Sequence, residues 1–210
     1  MSKAARIVLF LAAGFLMVEV AASAQDLATY SFQPESKVWI EGTSNKSDWT
    51  VHATELSGSV KMSPTPSAAE PGVEEARLTF VSNKIVSQSV AQKVIMNKLI
   101  HKTLKVEEHP EIVFDLTQVK PGTTTREDPN AFAFMAVGTL TLGGVTQDVE
   151  IPVEGKTLEN GQVQFVGQHT LLMTDYHLEP PVAMFGALRT ADEVTVHAEL
   201  IAAREMTGSQ

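Results

Sequence analysis

The chain has 210 residues, no cysteine and a formal net charge of −9 at pH 7. Without cysteine it has no disulfide, no thiolate metal ligand, no catalytic thiol and no lipid-modified cysteine to anchor it. The acidic balance argues against nucleic acid as a partner, because phosphate contacts need clustered lysine and arginine. It also argues against a charge-driven attraction to anionic membrane surfaces.

The first 24 residues have the composition of an export signal. Two basic residues precede an uncharged apolar run at 7–18, and residues 22–24 are small, as a cleavage site before Gln25 requires. The apolar run is too short to cross a hydrocarbon core of about 30 Å as a helix. We therefore expect a cleaved signal peptide at 1–24, an exported domain at 25–210, and no stable membrane anchor.

Strand patterns dominate the rest of the chain. Segments rich in valine, threonine and aromatic residues alternate apolar and polar side chains with the period of two that strands have. The Pro/Ser-rich stretch 62–72 predicts a surface loop, and Gly143 with Gly144 predicts a hairpin turn. The predicted extended segments are 37–44, 48–60, 76–82, 111–120, 131–142, 145–154, 162–174 and 192–203.

One segment has helical spacing instead. Between residues 87 and 105, Val90, Val94 and Leu99 recur at that spacing with lysines between them. Lysines near the end of a helix suit its negative pole. The sequence therefore predicts one all-β domain that carries a single inserted α-helix.

The strand predicted at 131–142 is apolar on both faces. Phe134 and Leu140 fall on one parity, whereas Met135 and Val137 fall on the other. Antiparallel strands with one solvated face should alternate apolar and polar residues, so this sheet must be covered on both sides or enclose something. About eight long antiparallel strands with one helix fit an up-and-down barrel that holds a small ligand. A β-sandwich with an ordinary dry core is the alternative.

Four stretches, taken in order, resemble the YceI-like family. Residues 37–49 contain Gly-Thr-Ser and end in tryptophan, and residues 98–114 contain Leu-Lys and then Pro-Glu-Ile-Val-Phe. Residues 137–146 read Val-Gly-Thr-Leu-Thr-Leu-Gly-Gly-Val-Thr, close to the family's Gly-x-Leu-Thr-Ile-x-Gly-Val-Thr hairpin. Residues 172–184 combine Met-Thr-Asp-Tyr, a proline pair and a methionine.

The resemblance implies a lipocalin-like antiparallel barrel and a bacterial exported protein that binds polyisoprenoids or related lipids. For this chain it implies a non-enzymatic protein that holds an isoprenoid or another long-chain lipid for transport or storage. The implied location is the periplasm, with secretion to the medium as the alternative. Two positions depart from the family pattern: Ser47 stands where many members have histidine, and His177 stands where glycine is expected.

The resemblance also implies that large apolar side chains line a cavity. Methionine suits such a wall, because an unbranched thioether repacks around a flexible chain. Each residue taken singly is equally explained by ordinary core packing. The candidate ligand-binding residues are Trp39, Trp49, Phe80, Phe114, Phe134, Met135, Val137, Leu140, Phe165, Leu171, Met173, Met184 and Phe185.

Two segments are candidates to close the barrel. Met184 and Phe185 lie beside Gly186 in a segment without strand alternation, which suits a rim or lid over the mouth. The helix at 87–105 is the second candidate. Either segment is equally explained as a connection that packs its apolar side inward.

The sequence contains no signature of catalysis, metal binding or a cofactor. The six histidines lack the His-x-x-x-His spacing of a zinc-protease helix. Gly-x-Ser-x-Gly, phosphate-loop and dinucleotide motifs are absent as well. Two alternatives from other classes stay open: a structural or interaction module with a filled barrel, and a lipid-acting enzyme that uses Asp175 and His177. A homodimer through strand edges or barrel ends is compatible with the sequence but is not required by it.

Overall fold

The computed structural model describes residues 26–89, 93–123 and 128–206, so the predicted signal peptide lies outside the described residues. These residues form twelve strands, one α-helix and three short 3₁₀ turns. The strands are β1 (Ala28–Phe32), β2 (Lys37–Ser44), β3 (Trp49–Ala53), β4 (Leu56–Met62), β5 (Val73–Val81), β6 (Ile85–Val86), β7 (Glu111–Pro121), β8 (Ala131–Leu142), β9 (Val145–Thr157), β10 (Val163–Leu172), β11 (Val182–Ala183) and β12 (Leu188–Arg204). The helix is α1 (Lys93–Thr103), and the 3₁₀ turns are Ser82–Lys84, Met173–Tyr176 and Met184–Gly186.

The strands form one closed, antiparallel barrel with eight strand positions. Three positions are each filled by two shorter strands in line, namely β1 with β2, β3 with β4, and β5 with β6. The remaining positions are β7, β8, β9, β10 and β12, and β11 pairs only with the start of β12. This architecture confirms the predicted eight-stranded antiparallel barrel with one helix.

The long strand β12 closes the barrel. One of its edges pairs with β10 along ten residues, from Val163↔Ala202 to Leu172↔Glu193. Its other edge pairs first with β2 and then, through the register Tyr30↔Arg204, with β1. A single 17-residue strand therefore joins both ends of the sheet.

The end of the barrel opposite α1 is closed by buried aromatic side chains. Phe132 is fully buried, and its ring meets Phe165 edge-on at 6.1 Å between ring centroids. Phe134 meets Phe165 edge-on at 6.4 Å, an arrangement that aromatic pairs favour. Gly155 faces Phe132 across the ladder, and a Cβ atom there would lie 2.2 Å from the ring. Glycine at position 155 therefore leaves room for the Phe132 ring. We call the three rings of Phe132, Phe134 and Phe165 the aromatic plug.

The predicted elements agree with the observed ones best where the pattern is long. The strand predicted at 131–142 has those bounds, and Gly143 and Gly144 form the predicted two-residue hairpin with φ of 57° and 82°. The described helix is shorter than the predicted one at 87–105. The first strand, β1, was not predicted from the sequence. None of the helical segments in the described ranges has the length and apolar character that a membrane span needs.

Candidate ligand-binding cavity

The barrel encloses a cavity of about 830 Å³. Its walls include residues of all twelve strands, and most of these residues are aliphatic or aromatic. Drug-sized ligands occupy pockets of roughly 300–1,000 Å³, so the volume is that of a binding site and not of a packing defect. Its strand-borne lining includes Val38, Ile40, Val51, Leu78, Phe80, Ile112, Phe114, Phe134, Ala136, Leu140, Ile151, Val153, Phe165, Leu171, Val194, Val196 and Leu200.

The cavity opens to solvent at one end of the barrel. Lys46 in the β2–β3 turn, Ile95 on α1 and Met184 before β12 all line the cavity, yet all are exposed. A side chain meets both conditions only at an opening. These three segments therefore form the rim of the mouth.

Helix α1 lies across this mouth. Its residues Ile95, Met96, Leu99 and Ile100 line the cavity, although no residue of the helix is fully buried. The helix is fixed by side chains that bond to neighbouring backbone groups. Asn97 Oδ1 accepts a hydrogen bond from Ser87 N at 2.8 Å, and His101 Nε2 lies 3.1 Å from the carbonyl oxygen of Ile85. Just beyond the helix, Lys105 Nζ donates to the carbonyl oxygen of His177 at 3.2 Å.

The other side of the rim is held by Asn45. Its Nδ2 donates to the carbonyl oxygen of Ala187 at 3.0 Å, and its Oδ1 accepts from Arg189 N at 2.9 Å. The β2–β3 turn is thereby tied to the segment that contains Met184 and Phe185. Those two residues have φ of 52° and 54°. This is the left-handed region of the backbone, which residues other than Gly, Asn and Asp rarely adopt. Their backbone is therefore strained, at a cost of roughly 1–3 kcal/mol per residue.

Trp49 is seated at the mouth by Gly42. The two residues are paired across β2 and β3, and a Cβ atom on Gly42 would lie 2.2 Å from Trp49 Cζ2. Trp49 Nε1 donates to the carbonyl oxygen of Thr43 at 3.2 Å, which satisfies its polar group. The indole therefore occupies the space that a side chain at position 42 would fill.

His169 is a titratable group in the cavity wall. It lines the cavity from β10, just past the point where pairing with β9 ends at Val153↔Gly167. The next residue of β9, Pro152, has no N–H to continue the ladder. Burial lowers the pKa of the His169 imidazole, and a hydrogen bond with the backbone of Glu150 opposes part of that shift. The wall thus carries a polar group where β9 and β10 separate, and burial disfavours its charged form.

Comparison with known proteins agrees with this geometry. The YceI-like domain family matches residues 30–202. This chain belongs to the YceI-like family. No curated protein matches the sequence.

Three solved structures show the same fold as this YceI-like chain. Burkholderia cenocepacia BcnA is 17% identical, with a TM-score of 0.61, over 80% of this chain and 96% of that one. A polyisoprenoid binding domain from Saccharophagus degradans, implicated in plant cell wall breakdown, is 14% identical, with a TM-score of 0.62, over 85% and 99%. The Campylobacter jejuni YceI protein is 16% identical, with a TM-score of 0.54, over 78% and 85%.

Nine of the thirteen candidate residues line the cavity of this YceI-like barrel. They lie at inward-facing strand positions, in the 3₁₀ turn that follows β10, or on the rim. Whether they contact a ligand stays a prediction. The nine are Trp49, Phe80, Phe114, Phe134, Leu140, Phe165, Leu171, Met173 and Met184.

The other four candidates do not line the cavity. Met135 and Val137 alternate with the inward-facing residues of β8, so they lie on the outer face of the barrel. Trp39 is also on the outer face, where its indole stacks on His197 with 4.9 Å between ring centroids. Phe185 points into solvent and is fully exposed.

Sequence reasoning missed a large part of the lining. Val38 and Ile40 flank Trp39 on β2, and Val194 and Val196 are two residues apart on β12. In each strand the period of two places the pair on one face, so the pattern indicated that both members of a pair point to the same side of the sheet. On α1, the helical spacing of the apolar residues likewise indicated which side of the helix faces the cavity.

In the three described ranges, no group of three or more His, Asp or Glu side chains is arranged to hold a metal ion. Asp175 and His177, the residues considered for an enzyme, do not line the cavity. The carbonyl groups of both residues accept hydrogen bonds, from Gln147 Nε2 and Lys105 Nζ respectively.

Proposed function

We propose that this protein binds a long apolar molecule, an isoprenoid or another long-chain lipid, inside its barrel and transports or stores it outside the cytoplasm. The observation that carries the proposal is the apolar cavity of about 830 Å³ with one open end. The protein acts as a binding protein and not as a catalyst.

The size of the cavity suits a long hydrocarbon chain. An apolar cavity of about 150 Å³ holds one benzene molecule, so at that packing this cavity has room for roughly 30 carbon atoms. Removing apolar matter from water is worth about 0.8 kcal/mol per CH₂ group, which gives roughly 16 kcal/mol for 20 carbons. Association costs about 4–15 kcal/mol. Apolar contact from 20 carbons alone therefore gives micromolar or tighter binding, which needs about 8 kcal/mol net, when association costs less than about 8 kcal/mol. A chain of about 30 carbons gains roughly 24 kcal/mol and reaches that affinity across the whole range of costs.

The comparisons support the chemical class of the ligand. One structure with the same fold is a polyisoprenoid binding domain, and the family match covers the residues that build the cavity. The role outside the cytoplasm is supported by the export signal that the sequence predicts at residues 1–24. The alternative of a filled barrel finds no support in the structure, because such a barrel has no space of this size.

Mass spectrometry of the protein purified from its own cell envelope tests the proposal. We expect a bound long-chain species in the native spectrum and in the lipid extract, and uptake of a polyprenyl alcohol or a fatty acid by the delipidated protein. Recovery of empty protein only, together with no uptake of either ligand, would refute the proposal. Catalytic turnover of an offered lipid would instead favour the enzyme alternative.

A further inference from the structure

We propose that the rim of the cavity is a docking surface for a lipid bilayer with anionic headgroups. The proposal rests on the proposed function, because it says where a lipid would enter and leave the barrel. Its basis is that exposed apolar side chains and exposed lysines occur together at the mouth of the cavity.

The exposed large apolar side chains are concentrated at this end of the molecule. Val94 and Ile95 on α1 are 84% and 67% exposed, and Met184 and Phe185 on the opposite segment are 73% and 112% exposed. Ile95 and Met184 also line the cavity, which places both pairs at its opening. Apolar side chains that cluster in solvent mark an interaction surface.

The backbone holds part of this surface in place. Met184 and Phe185 both have left-handed φ angles, and Gly186 follows with φ of 91°. Two successive strained residues that present two apolar side chains to water lower the stability of the free protein. Such strain is typical of a functional segment.

Charge identifies the partner. Helix α1 has exposed lysines at 93, 98 and 102 and no acidic residue, although the chain as a whole carries −9. Lys46 and Asp48, both exposed on the cavity rim, offset each other. An apolar patch interleaved with lysine matches the boundary between acyl chains and anionic headgroups. The exposed Glu107 and Glu108 lie beyond the end of the helix, so the positive charge belongs to α1 itself.

A second copy of the chain fits this surface less well. A two-fold dimer through the rim would place the same patch against itself, so the lysines of two α1 helices would face each other. A bilayer offers negative charge and apolar depth together. It is also the source of a lipid ligand, so docking would let the chain pass between bilayer and barrel without crossing water.

Vesicle flotation with the chain that follows the signal peptide tests the inference. The two probes are vesicles of phosphatidylethanolamine with phosphatidylglycerol and vesicles of phosphatidylcholine alone. We expect binding to the anionic vesicles that salt weakens, and weaker binding to phosphatidylcholine. Phe185→Asn should lower the partition coefficient roughly tenfold or more, because one exposed phenylalanine no longer inserts. Lys98→Gln should lower it about fivefold, as expected for one lysine near an anionic surface.

Matched controls lie at the other end of the barrel. Met206 is 96% exposed and Lys37 is exposed at the start of β2, so Met206→Ser and Lys37→Gln make comparable changes away from the rim. Both should leave vesicle binding unchanged. Asparagine tolerates left-handed φ, so the substitution at 185 should not unfold the protein, and Val94→Ser gives a second test outside the cavity lining.

Several results would overturn the inference. Wild-type protein that ignores anionic vesicles would do so, as would equal losses in Phe185→Asn and Met206→Ser. A concentration-dependent dimer that Phe185→Asn abolishes would assign the surface to a second copy instead. Uptake of a fluorescent long-chain alcohol without vesicles is measured in parallel. If vesicle binding fails while uptake persists, only the docking surface is refuted; if uptake fails while vesicle binding persists, only the proposed function is.

Discussion

Replacing Ala136 by phenylalanine distinguishes a hollow barrel from a filled one. Ala136 is buried and its side chain lines the cavity from β8. In a packed core, inserting this much volume costs about 1–3 kcal/mol. Here the new ring enters free space, so we expect the free energy of unfolding of the delipidated protein to stay within ~1 kcal/mol of wild type or to rise, since a buried phenylalanine contributes about 1.5–3 kcal/mol.

The same substitution should weaken ligand binding. The added ring takes the space of about six carbon atoms, which at about 0.8 kcal/mol each is roughly 5 kcal/mol of lost apolar contact. A flexible chain can shift toward the mouth and recover part of this, so we expect the Kd for a long-chain fluorescent ligand to rise tenfold or more.

Denaturant unfolding and ligand titration measure the two effects on one sample. Val137→Phe is the matched control, because it adds a ring one residue away on the outer face and should leave the Kd unchanged. A loss of 1–3 kcal/mol in stability for Ala136→Phe with an unchanged Kd would refute the assignment of the cavity.

Three further predictions concern the mouth, the plug and the wall. Gly42→Ala should displace the Trp49 indole, seen as a fluorescence red shift with tenfold weaker ligand binding, and an unchanged spectrum would contradict the packing described. Phe132→Ala should lower the free energy of unfolding by about 3–5 kcal/mol in denaturant titration; a loss below 1 kcal/mol would show that the plug is not tightly packed. The pKa of His169 is lowered in the folded state, so the unfolded state binds the proton more readily. Stability should fall as pH drops below about 6.5 and level off below the folded pKa, whereas His169→Gln should lack that slope.

Much of the barrel could be predicted from local patterns. The strand 131–142 and its glycine hairpin were found because twelve extended residues and two adjacent glycines allow few other structures. The strand β1 has only five residues, and its place in the sheet depends on pairing with β12 from the far end of the chain. Tertiary pairing of that kind leaves no local signal.

The cavity lining was predicted less accurately for a physical reason. Choosing residues for size placed Phe134 and Met135 in the same set, although neighbours on one strand point to opposite faces. Trp39 was included despite its alternation with Val38 and Ile40. The side of the sheet on which a tryptophan lies depends on register, and here the indole is half-buried on the outer wall, where it stacks on His197.

The position of β12 at the end of the chain also determines when the barrel can close during folding. Until residues 188–204 are available, β10 on one side and β1 with β2 on the other keep an unpaired edge, so the barrel stays open. Contacts between segments so far apart along the chain form slowly. For the export proposed above, such a delay is useful, because a chain that passes through a narrow pore then remains unclosed until its last strand arrives on the other side.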